Sequence, residues 1–295
     1  MKQPIFTGSC TALVTPFTED LTVDYPAMER LLDFQLENGT DAVVVCGTTG
    51  EAASMSYEER LRVIEAVVRR VDGRIPVIAG TGSNNTANAI TLSRDAVLAG
   101  ADALLVVTPF YNKATQTGLV RHYTAIADAA ARPVILYHVP SRTGVKCTAE
   151  TYAALAKHPN IVGVKEAGGD LALVQKTREL CPADFSIWSG NDDETAPMML
   201  FGGQGVISVA ANIVPREMHR LTEACRSGDF TAAGNMQLKL RKLCEALFWE
   251  VNPIPVKTAL AIMGRCQEVF RLPMCEMEPE NRERLKAVLA EYELI

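Results

Sequence analysis

Short apolar runs alternate with longer amphipathic segments over the first three quarters of the chain. The apolar runs cover a few residues each and are bounded by glycine, proline and polar residues, which is typical of buried parallel strands. They lie at 12–14, 42–46, 77–79, 103–107, 134–137, 161–164, 185–188 and 205–209. Apolar residues at helical spacing between these runs predict helices at 24–38, 56–72, 84–99, 115–131, 149–157, 170–180, 192–201 and 214–227.

Each of the predicted strands is followed by a predicted helix, and strict alternation of this kind implies a parallel sheet. Eight such units in about 225 residues match the size of a (β/α)8 barrel, or TIM barrel. A doubly wound open sheet is the alternative, but no G-x-G-x-x-G follows the first predicted strand. The pattern therefore favours an α/β barrel over residues 1–228.

The alternation stops after residue 228. Residues 229–249, 252–266 and 279–293 all show helical periodicity, and no strand pattern lies between them. We expect residues 229–295 to form a C-terminal helical appendage that packs on the barrel or against another subunit. No linker rich in glycine, serine or proline separates the two parts, so one compact unit is expected.

A lone lysine, Lys165, stands at the end of the sixth predicted strand. Burial disfavours a charged ammonium, and a neutral lysine amine can attack a carbonyl to form a Schiff base. The alternative is a side chain that extends into solvent where the strand meets its loop. Chemistry in a barrel lies where the strands end, and polar residues recur at the ends of the neighbouring strands, which favours the first interpretation.

The other strand ends supply candidate binding and proton-transfer groups. Residues 47–50 (Gly-Thr-Thr-Gly) offer closely spaced amides and two hydroxyls, which suit a small anion, although such turns are also common without a ligand. Tyr111 and Tyr137 are either proton-transfer groups or core phenols. Arg142 is either a carboxylate ligand or a surface arginine. We interpret His138 as a structural histidine, because no carboxylate stands beside it in the sequence.

Composition narrows the possible functions. The chain has 295 residues, 48% of them hydrophobic and 22% charged, with a net charge of -6, which argues against nucleic acids and anionic membrane surfaces as partners. Neither a secretory signal nor a membrane-spanning segment is predicted. The eight cysteines are scattered, which predicts reduced thiols in a cytoplasmic protein. No metal site is predicted, because the acidic run 192–194 suits a helix N-terminus.

The motifs together resemble the dihydrodipicolinate synthase family. This family belongs to the pyruvate-dependent class I aldolases, which also include N-acetylneuraminate lyase. The resemblance runs essentially end to end. It rests on residues 47–51 (Gly-Thr-Thr-Gly-Glu), 79–82, 108–109, 111–112, Tyr137, 140–144 (Pro-Ser-Arg-Thr-Gly), 164–166 (Val-Lys-Glu), 189–190, 205–208 and 252–257.

The resemblance implies a function and the residues that perform it. Pyruvate and aspartate semialdehyde would condense through a Schiff base on Lys165, with no cofactor or metal, in the diaminopimelate pathway to lysine. The amides of Thr48 and Thr49 would hold the pyruvate carboxylate, and Arg142 would hold the carboxylate of the semialdehyde. Thr49, Tyr137 and Tyr111 would form a proton relay. Tyr111 would come from a neighbouring subunit of a homotetramer (a dimer of dimers). Gly190 and Ile207 would line the site through their backbone.

Two other functions remain open from the sequence. One is a related aldolase that makes or cleaves a 2-keto-3-deoxy acid or N-acetylneuraminate, and the other is a barrel that binds a keto acid without catalysis. The chain also departs from the family near the strand ends, with Phe110 where tyrosine is common and His138 where asparagine is common.

Departures at positions used by lysine-inhibited family members bear on regulation. The chain has Asn88 in place of a glutamate, and Tyr57 and Arg60 where histidines are common. The resemblance therefore implies weak feedback inhibition by lysine, or none.

Overall fold

The computed structural model describes residues 2–295, and within them eight parallel strands close into a barrel in sequence order. The barrel closes where the first strand pairs with the last, from Gly8↔Gly205 to Thr11↔Ser208. The strands are β1 (Gly8–Ala12), β2 (Ala42–Val45), β3 (Val77–Gly80), β4 (Ala103–Val107), β5 (Val134–His138), β6 (Ile161–Glu166), β7 (Ser186–Ser189) and β8 (Gly205–Ser208). The predicted (β/α)8 barrel is confirmed.

Helices follow each strand and surround the barrel. They are α1 (Tyr25–Glu37), α2 (Tyr57–Val71), α3 (Thr86–Leu98), α4 (Gln116–Ala130), α5 (Pro140–Thr143), α6 (Ala149–Leu155), α7 (Leu171–Leu180), α8 (Thr195–Leu200), α9 (Pro215–Arg226), α10 (Phe230–Ala246), α11 (Ile254–Ile262) and α12 (Pro279–Glu291), with short 3-10 helices at Ala52–Ser54, Asp192–Glu194 and Ala210–Asn212. Local signals set several of the ends. For example, α2 begins with a capping box between Ser56 and Glu59.

The strands separate two buried apolar layers. One lies inside the barrel and includes Tyr137, Trp188 and Ile207, and the other lies between the strands and the surrounding helices and includes Tyr152 of α6. Because successive strand residues point to opposite faces, neighbours in the sequence contribute to different layers. This alternation decides which strand-end side chains face the centre of the barrel.

The first strand lies earlier than the sequence predicted. β1 covers Gly8–Ala12, whereas the apolar run at 12–14 overlaps it only at Ala12. Ser9 and Thr11 are buried polar residues of this strand, and the Thr11 hydroxyl lies 2.6 Å from Gln35 Oε1. Buried polar side chains, of which Thr11 is satisfied by a hydrogen bond, concealed this strand from a pattern based on hydrophobicity.

The C-terminal helices pack on one another and on the last units of the barrel. α10 contacts α8 and α9, α12 contacts α10 and α11, and α11 contacts the 3-10 helix Ala210–Asn212 that follows β8. The helical appendage therefore reaches the end of the barrel where the strands finish. The boundary between residues 228 and 229 stays a prediction.

Within residues 2–295, no helix combines the length and the apolar character needed to cross a membrane.

Candidate active site

Lys165 lies inside the barrel, beside Tyr137. Its side chain comes from β6, and the residue is 5% exposed. The register of the sheet pairs Tyr137 of β5 with Lys165 of β6, and Lys165 Nζ lies 4.4 Å from the centroid of the Tyr137 ring. A buried amine next to a phenol is the arrangement that Schiff-base chemistry with proton transfer requires.

An irregularity in β6 aims Lys165 inward. Val134 pairs with Ile161, but Ile135 pairs with Gly163, so Val162 is an extra residue in β6. Bulges of this kind change which face a side chain points to, and they often occur next to active sites. Gly163 is required here, because a Cβ at this position would lie 2.2 Å from the carbonyl oxygen of Ser186 in β7.

Gly190 leaves room for the lysine. A Cβ at position 190 would lie 3.1 Å from Lys165 Cε and 2.6 Å from the Cβ of Ala167. The Gly190 amide donates a hydrogen bond to the carbonyl of Glu166 at 2.7 Å, which ties the turn after β7 to the end of β6. A residue larger than glycine would have to displace either the lysine chain or this turn.

The turn after β2 carries the two threonines. Thr48 is half-buried and lines a cavity, whereas Thr49 is buried. The side-chain amide of Asn252 donates a hydrogen bond to Thr49 Oγ1 at 3.1 Å. Since this oxygen accepts from Asn252, the Thr49 hydroxyl is left to donate its own proton to another group.

A buried ion pair supports the same turn. Lys257 Nζ lies 2.7 Å from Glu51 Oε1, and the two side chains are 0% and 2% exposed. Burial lowers the pKa of Lys257, while the charge and hydrogen bond of Glu51 oppose that shift. Lys257 Nζ also lies 4.1 Å from the centroid of the Phe17 ring. Asn252 and Lys257 therefore attach the C-terminal region to the turn that carries both threonines.

A cavity of about 410 Å³ opens at the ends of the strands. Tyr137 is part of its lining, so the cavity reaches the phenol that contacts Lys165. Arg142 lies at its exposed side on the one-turn helix α5, where Nη2 donates to the carbonyl of Asn252 at 3.1 Å. The sequence placed Arg142 in a loop, and the helical turn holds its guanidinium over the cavity.

Tyr111 is the predicted site residue that this chain does not bring to the others. It is 90% exposed and has a positive φ of 70°, a backbone conformation that is uncommon for residues other than glycine. The neighbouring Phe110 is 39% exposed. Two aromatic side chains on one exposed loop form an apolar surface beside the cavity.

Ile207 lies on β8 and Asp192 shortly after β7, the strand that pairs with β6. Ile207 is fully buried in the interior layer that includes Tyr137. Asp192 is buried, and its Oδ2 accepts hydrogen bonds from the amides of Val209 and Ala210 at 3.1 and 2.9 Å. Burial raises the pKa of Asp192, and these hydrogen bonds oppose the shift. The carboxylate thus holds the turn after β8, and the acidic run 192–194 also opens the 3-10 helix that precedes α8, where the sequence placed a helix N-terminus.

His138 has a carboxylate partner that the sequence analysis missed. Its Nδ1 lies 2.6 Å from Glu166 Oε1, and both side chains are buried on the outer face of the sheet. Tyr152 donates a hydrogen bond to Glu166 Oε2 at 3.0 Å, and burial raises the pKa of Tyr152 well above its usual value. The signal lay in the sequence, since His138 follows Tyr137 and Glu166 follows Lys165 on adjacent strands.

Within residues 2–295, no group of three or more His, Cys, Asp or Glu side chains is placed to hold a metal ion.

The fold and the site define a (β/α)8 barrel with a buried lysine and an adjacent tyrosine where the strands end. The chain belongs to the dihydrodipicolinate synthetase family, whose sequence model matches residues 5–292. It is 53% identical over 291 residues to the 4-hydroxy-tetrahydrodipicolinate synthase of Geobacter sulfurreducens, covering 99% of this chain and 100% of that protein. The resemblance inferred from the sequence motifs is confirmed.

Solved structures agree with this assignment. Dihydrodipicolinate synthase from Aquifex aeolicus superposes with a TM-score of 0.96 at 46% identity, covering 98% of this chain and 99% of that one. A chloride-inhibited dihydrodipicolinate synthase from Acinetobacter baumannii, solved with pyruvate, gives a TM-score of 0.96 at 43% identity, with 98% and 99% covered.

Proposed function

We propose that this chain is a lyase that condenses pyruvate with L-aspartate 4-semialdehyde to give 4-hydroxy-tetrahydrodipicolinate, in the diaminopimelate pathway to lysine. Family membership and synthase relatives at about half identity over the full length support the reaction. The observation that carries the chemistry is the buried amine of Lys165, 4.4 Å from the Tyr137 ring centroid. A condensation of this kind belongs in the cytoplasm, which is the location we propose.

Lys165 is the proposed nucleophile. Its neutral amine attacks the ketone carbon of pyruvate, and loss of water gives an iminium. The iminium accepts the electron pair when a proton leaves the methyl carbon, so the resulting enamine forms without a metal or another cofactor. The enamine carbon then attacks the aldehyde carbon, and the amine of the semialdehyde displaces Lys165, which closes the ring and frees the enzyme.

The surrounding residues bind and transfer protons in this proposal. The amides of Thr48 and Thr49 hold the pyruvate carboxylate, and Gly190 and Ile207 line the pocket through their backbone. Arg142 lies across the cavity, where it suits the carboxylate of the semialdehyde. Protons move between Tyr137 and the Thr49 hydroxyl, which Asn252 leaves free to donate. Tyr111 completes the relay from a second subunit.

The activity is tested by turnover of pyruvate with aspartate semialdehyde, coupled to the next reductase and followed by loss of NADPH absorbance. We expect sustained turnover. Borohydride added with pyruvate alone should leave a reduced adduct of roughly 72 Da on Lys165, the mass expected of a trapped imine. If an adduct forms without turnover, the aldolase chemistry stands and the second substrate is a sugar-derived acid instead of the semialdehyde. If no adduct forms, Schiff-base catalysis is rejected.

We propose a homotetramer, a dimer of dimers, in which Tyr111 of one subunit enters the site of its neighbour. The exposed Tyr111 and Phe110 support a covered surface at this loop. Variants Lys165→Met and Tyr111→Phe should each lose activity. Mixed and reassembled, they should regain it, because the subunit that keeps Lys165 would receive an intact Tyr111 from its partner. Activity of the mixture no higher than the sum of the separate variants would contradict the shared site.

We predict weak feedback inhibition by lysine, or none. Arg60 lies in the cavity lining and donates to the carbonyl of Gly80 at 2.7 Å, and Tyr57 donates to the Asp95 carboxylate. A lysine ammonium would meet the Arg60 charge there, and Asn88 supplies no opposite charge. Losing a charge-assisted contact costs about 1.5–3 kcal/mol, tenfold or more in affinity. Half-inhibition of turnover by lysine below about 10⁻³ M would contradict this prediction.

A further inference from the structure

Directly behind the proposed catalytic pair lies a second, outward-facing pair on the same two strands. The sheet register pairs Tyr137 with Lys165 and, one residue later, His138 with Glu166. His138 Nδ1 and Glu166 Oε1 are 2.6 Å apart, and their side chains are 3% and 4% exposed. We use the term outer clamp for His138, Glu166 and Tyr152, whose hydroxyl donates to Glu166 Oε2.

The hydrogen bonds fix one protonation pattern in the outer clamp. The Cys147 amide donates to His138 Nε2 at 3.1 Å, so that nitrogen is the unprotonated acceptor. Nδ1 therefore carries the proton and donates it to Glu166. The Glu166 carboxylate also accepts from the Gly168 amide at 2.8 Å and from Tyr152 at 3.0 Å. Three donors therefore satisfy the buried carboxyl group of Glu166.

The outer clamp closes the regular stretch of pairing that follows an irregularity between β5 and β6. Val162 is an extra residue in β6, so the two strands depart from regular pairing just before the catalytic residues. A one-residue slip of a strand sends every side chain to the opposite face, which would remove Lys165 from the interior. The His138–Glu166 bond joins the strands immediately beyond Tyr137 and Lys165, so it locks the register in which those two residues meet.

The outer clamp also extends to both neighbouring turns. The Cys147 amide lies five residues after Arg142, so His138 attaches the segment beyond α5 to β5. The Glu166 carbonyl accepts a hydrogen bond from the amide of Gly190, the residue whose missing side chain leaves room for Lys165. A Cβ at Gly168 would lie 2.7 Å from Glu166 Oε1 and 3.2 Å from His138 Cε1, so the turn after β6 is packed tightly against the same pair.

We propose that His138 and Glu166 are positioning residues that hold Lys165 against Tyr137 for attack on the keto acid. The inference rests on the proposed function, because it assigns the pair to Schiff-base formation. Neither side chain faces the interior, so neither contacts the substrate. The expected consequence of breaking the clamp is slow imine formation with nearly normal pyruvate binding, because the proposed carboxylate ligands Thr48 and Thr49 lie in the turn after β2, which the clamp does not contact.

The test measures the rate of imine formation with pyruvate by timed borohydride quenching and mass spectrometry. His138→Leu removes both hydrogen bonds of the imidazole, and displacement of reacting groups by about 1 Å costs on the order of 10²-fold in rate. We expect that loss in imine formation with less than about a threefold change in the KM for pyruvate. His138→Asn keeps one donor and one acceptor and should recover most of the rate.

A matched variant separates positioning from general stability. His122 of α4 is also buried, 7% exposed, and its Nδ1 lies 2.9 Å from the Thr86 hydroxyl of α3, and neither residue lines the cavity. His122→Leu should lower the thermal midpoint but leave imine formation unchanged. Tyr152→Phe removes one hydrogen bond from Glu166 without changing the shape of the core, and it should slow imine formation less than His138→Leu.

Two results would overturn the inference. In one, His138→Leu forms the imine as fast as His122→Leu at equal loss of thermal stability. In the other, the KM for pyruvate rises as much as the rate falls, which would indicate general distortion of the site. A wild-type protein that forms no imine would overturn the proposed function itself, and an active wild type with an unaffected His138→Leu variant would overturn the clamp alone.

Discussion

Replacing Lys165 with methionine is expected to abolish turnover while leaving the protein folded. Methionine keeps the unbranched apolar chain, which fits beside Gly190 and the Tyr137 ring, but it removes the amine. Without a nucleophile no imine forms, and the enamine step has no electron sink. A loss of about 10⁴-fold or more in kcat is expected, as for removal of other catalytic nucleophiles. The measurement is the coupled turnover assay.

Borohydride trapping of the same variant identifies the nucleophile. The adduct of roughly 72 Da should vanish from the whole protein in Lys165→Met. Lys157 is exposed on the surface, so Lys157→Met should retain both turnover and adduct. Residual turnover in Lys165→Met with an adduct on another lysine, such as the buried Lys257, would show that Lys165 is not the nucleophile.

Replacing Lys257 with methionine is expected to cause a large loss of stability, because it removes one member of a buried ion pair. Lys257 and Glu51 are almost fully buried, and removing one member leaves an uncompensated charge. Such a change costs about 3–5 kcal/mol in the free energy of unfolding. Urea unfolding of Lys257→Met against the wild type measures it. The double variant Glu51→Gln with Lys257→Met should recover much of that loss, because no buried charge remains.

An exposed ion pair supplies the matched control. Lys242 pairs with Glu291 between α10 and α12, with side chains 50% and 56% exposed. Lys242→Met should change the free energy of unfolding by less than about 1 kcal/mol, because solvent screens this pair. A similar small change for Lys257→Met would mean that Glu51 is neutral or solvated, contrary to the geometry.

Lys257 also connects stability to catalysis in this fold. Glu51 lies two residues after Thr49, and Asn252 bonds to Thr49 from the same C-terminal segment. Loss of the ion pair should therefore raise the KM for pyruvate in any Lys257→Met protein that remains folded. The helices beyond residue 228 thus do more than cover the barrel, since they hold the turn proposed to bind the substrate carboxylate.

Hydrophobic periodicity was sufficient to predict the architecture. Seven of the eight strands lie where apolar runs indicated, because a parallel strand covered on both faces must be apolar throughout. β1 was the exception, since the buried Thr11 hydrogen-bonds to Gln35 on α1. A polar residue whose partner is distant in sequence has the same appearance in the sequence as an exposed one, so periodicity cannot place it.

The site residues also differ in whether the local sequence could predict them. Lys165 was predictable because a side chain with an ammonium group has no structural reason to lie at the end of an apolar strand. Its neighbours in space were not. His138 looked isolated, although Glu166 lies one strand away, and Glu51 looked like part of a turn, although Lys257 reaches it from α11. These pairs depend on strand register and on the path of the C-terminal helices.

The sequence by itself determined the alternation of strands and helices, the strand ends on which polar residues collect, and the lysine among them. These properties are local, since they follow from burial and from the spacing of side chains along each element. Only the tertiary structure decided which side chains meet. Barrel closure, the extra residue in β6 and the docking of the C-terminal helices place the Tyr137 ring against Lys165, Asn252 against Thr49, and Glu166 against His138. Contacts between residues so far apart in the chain arise only when the whole barrel packs.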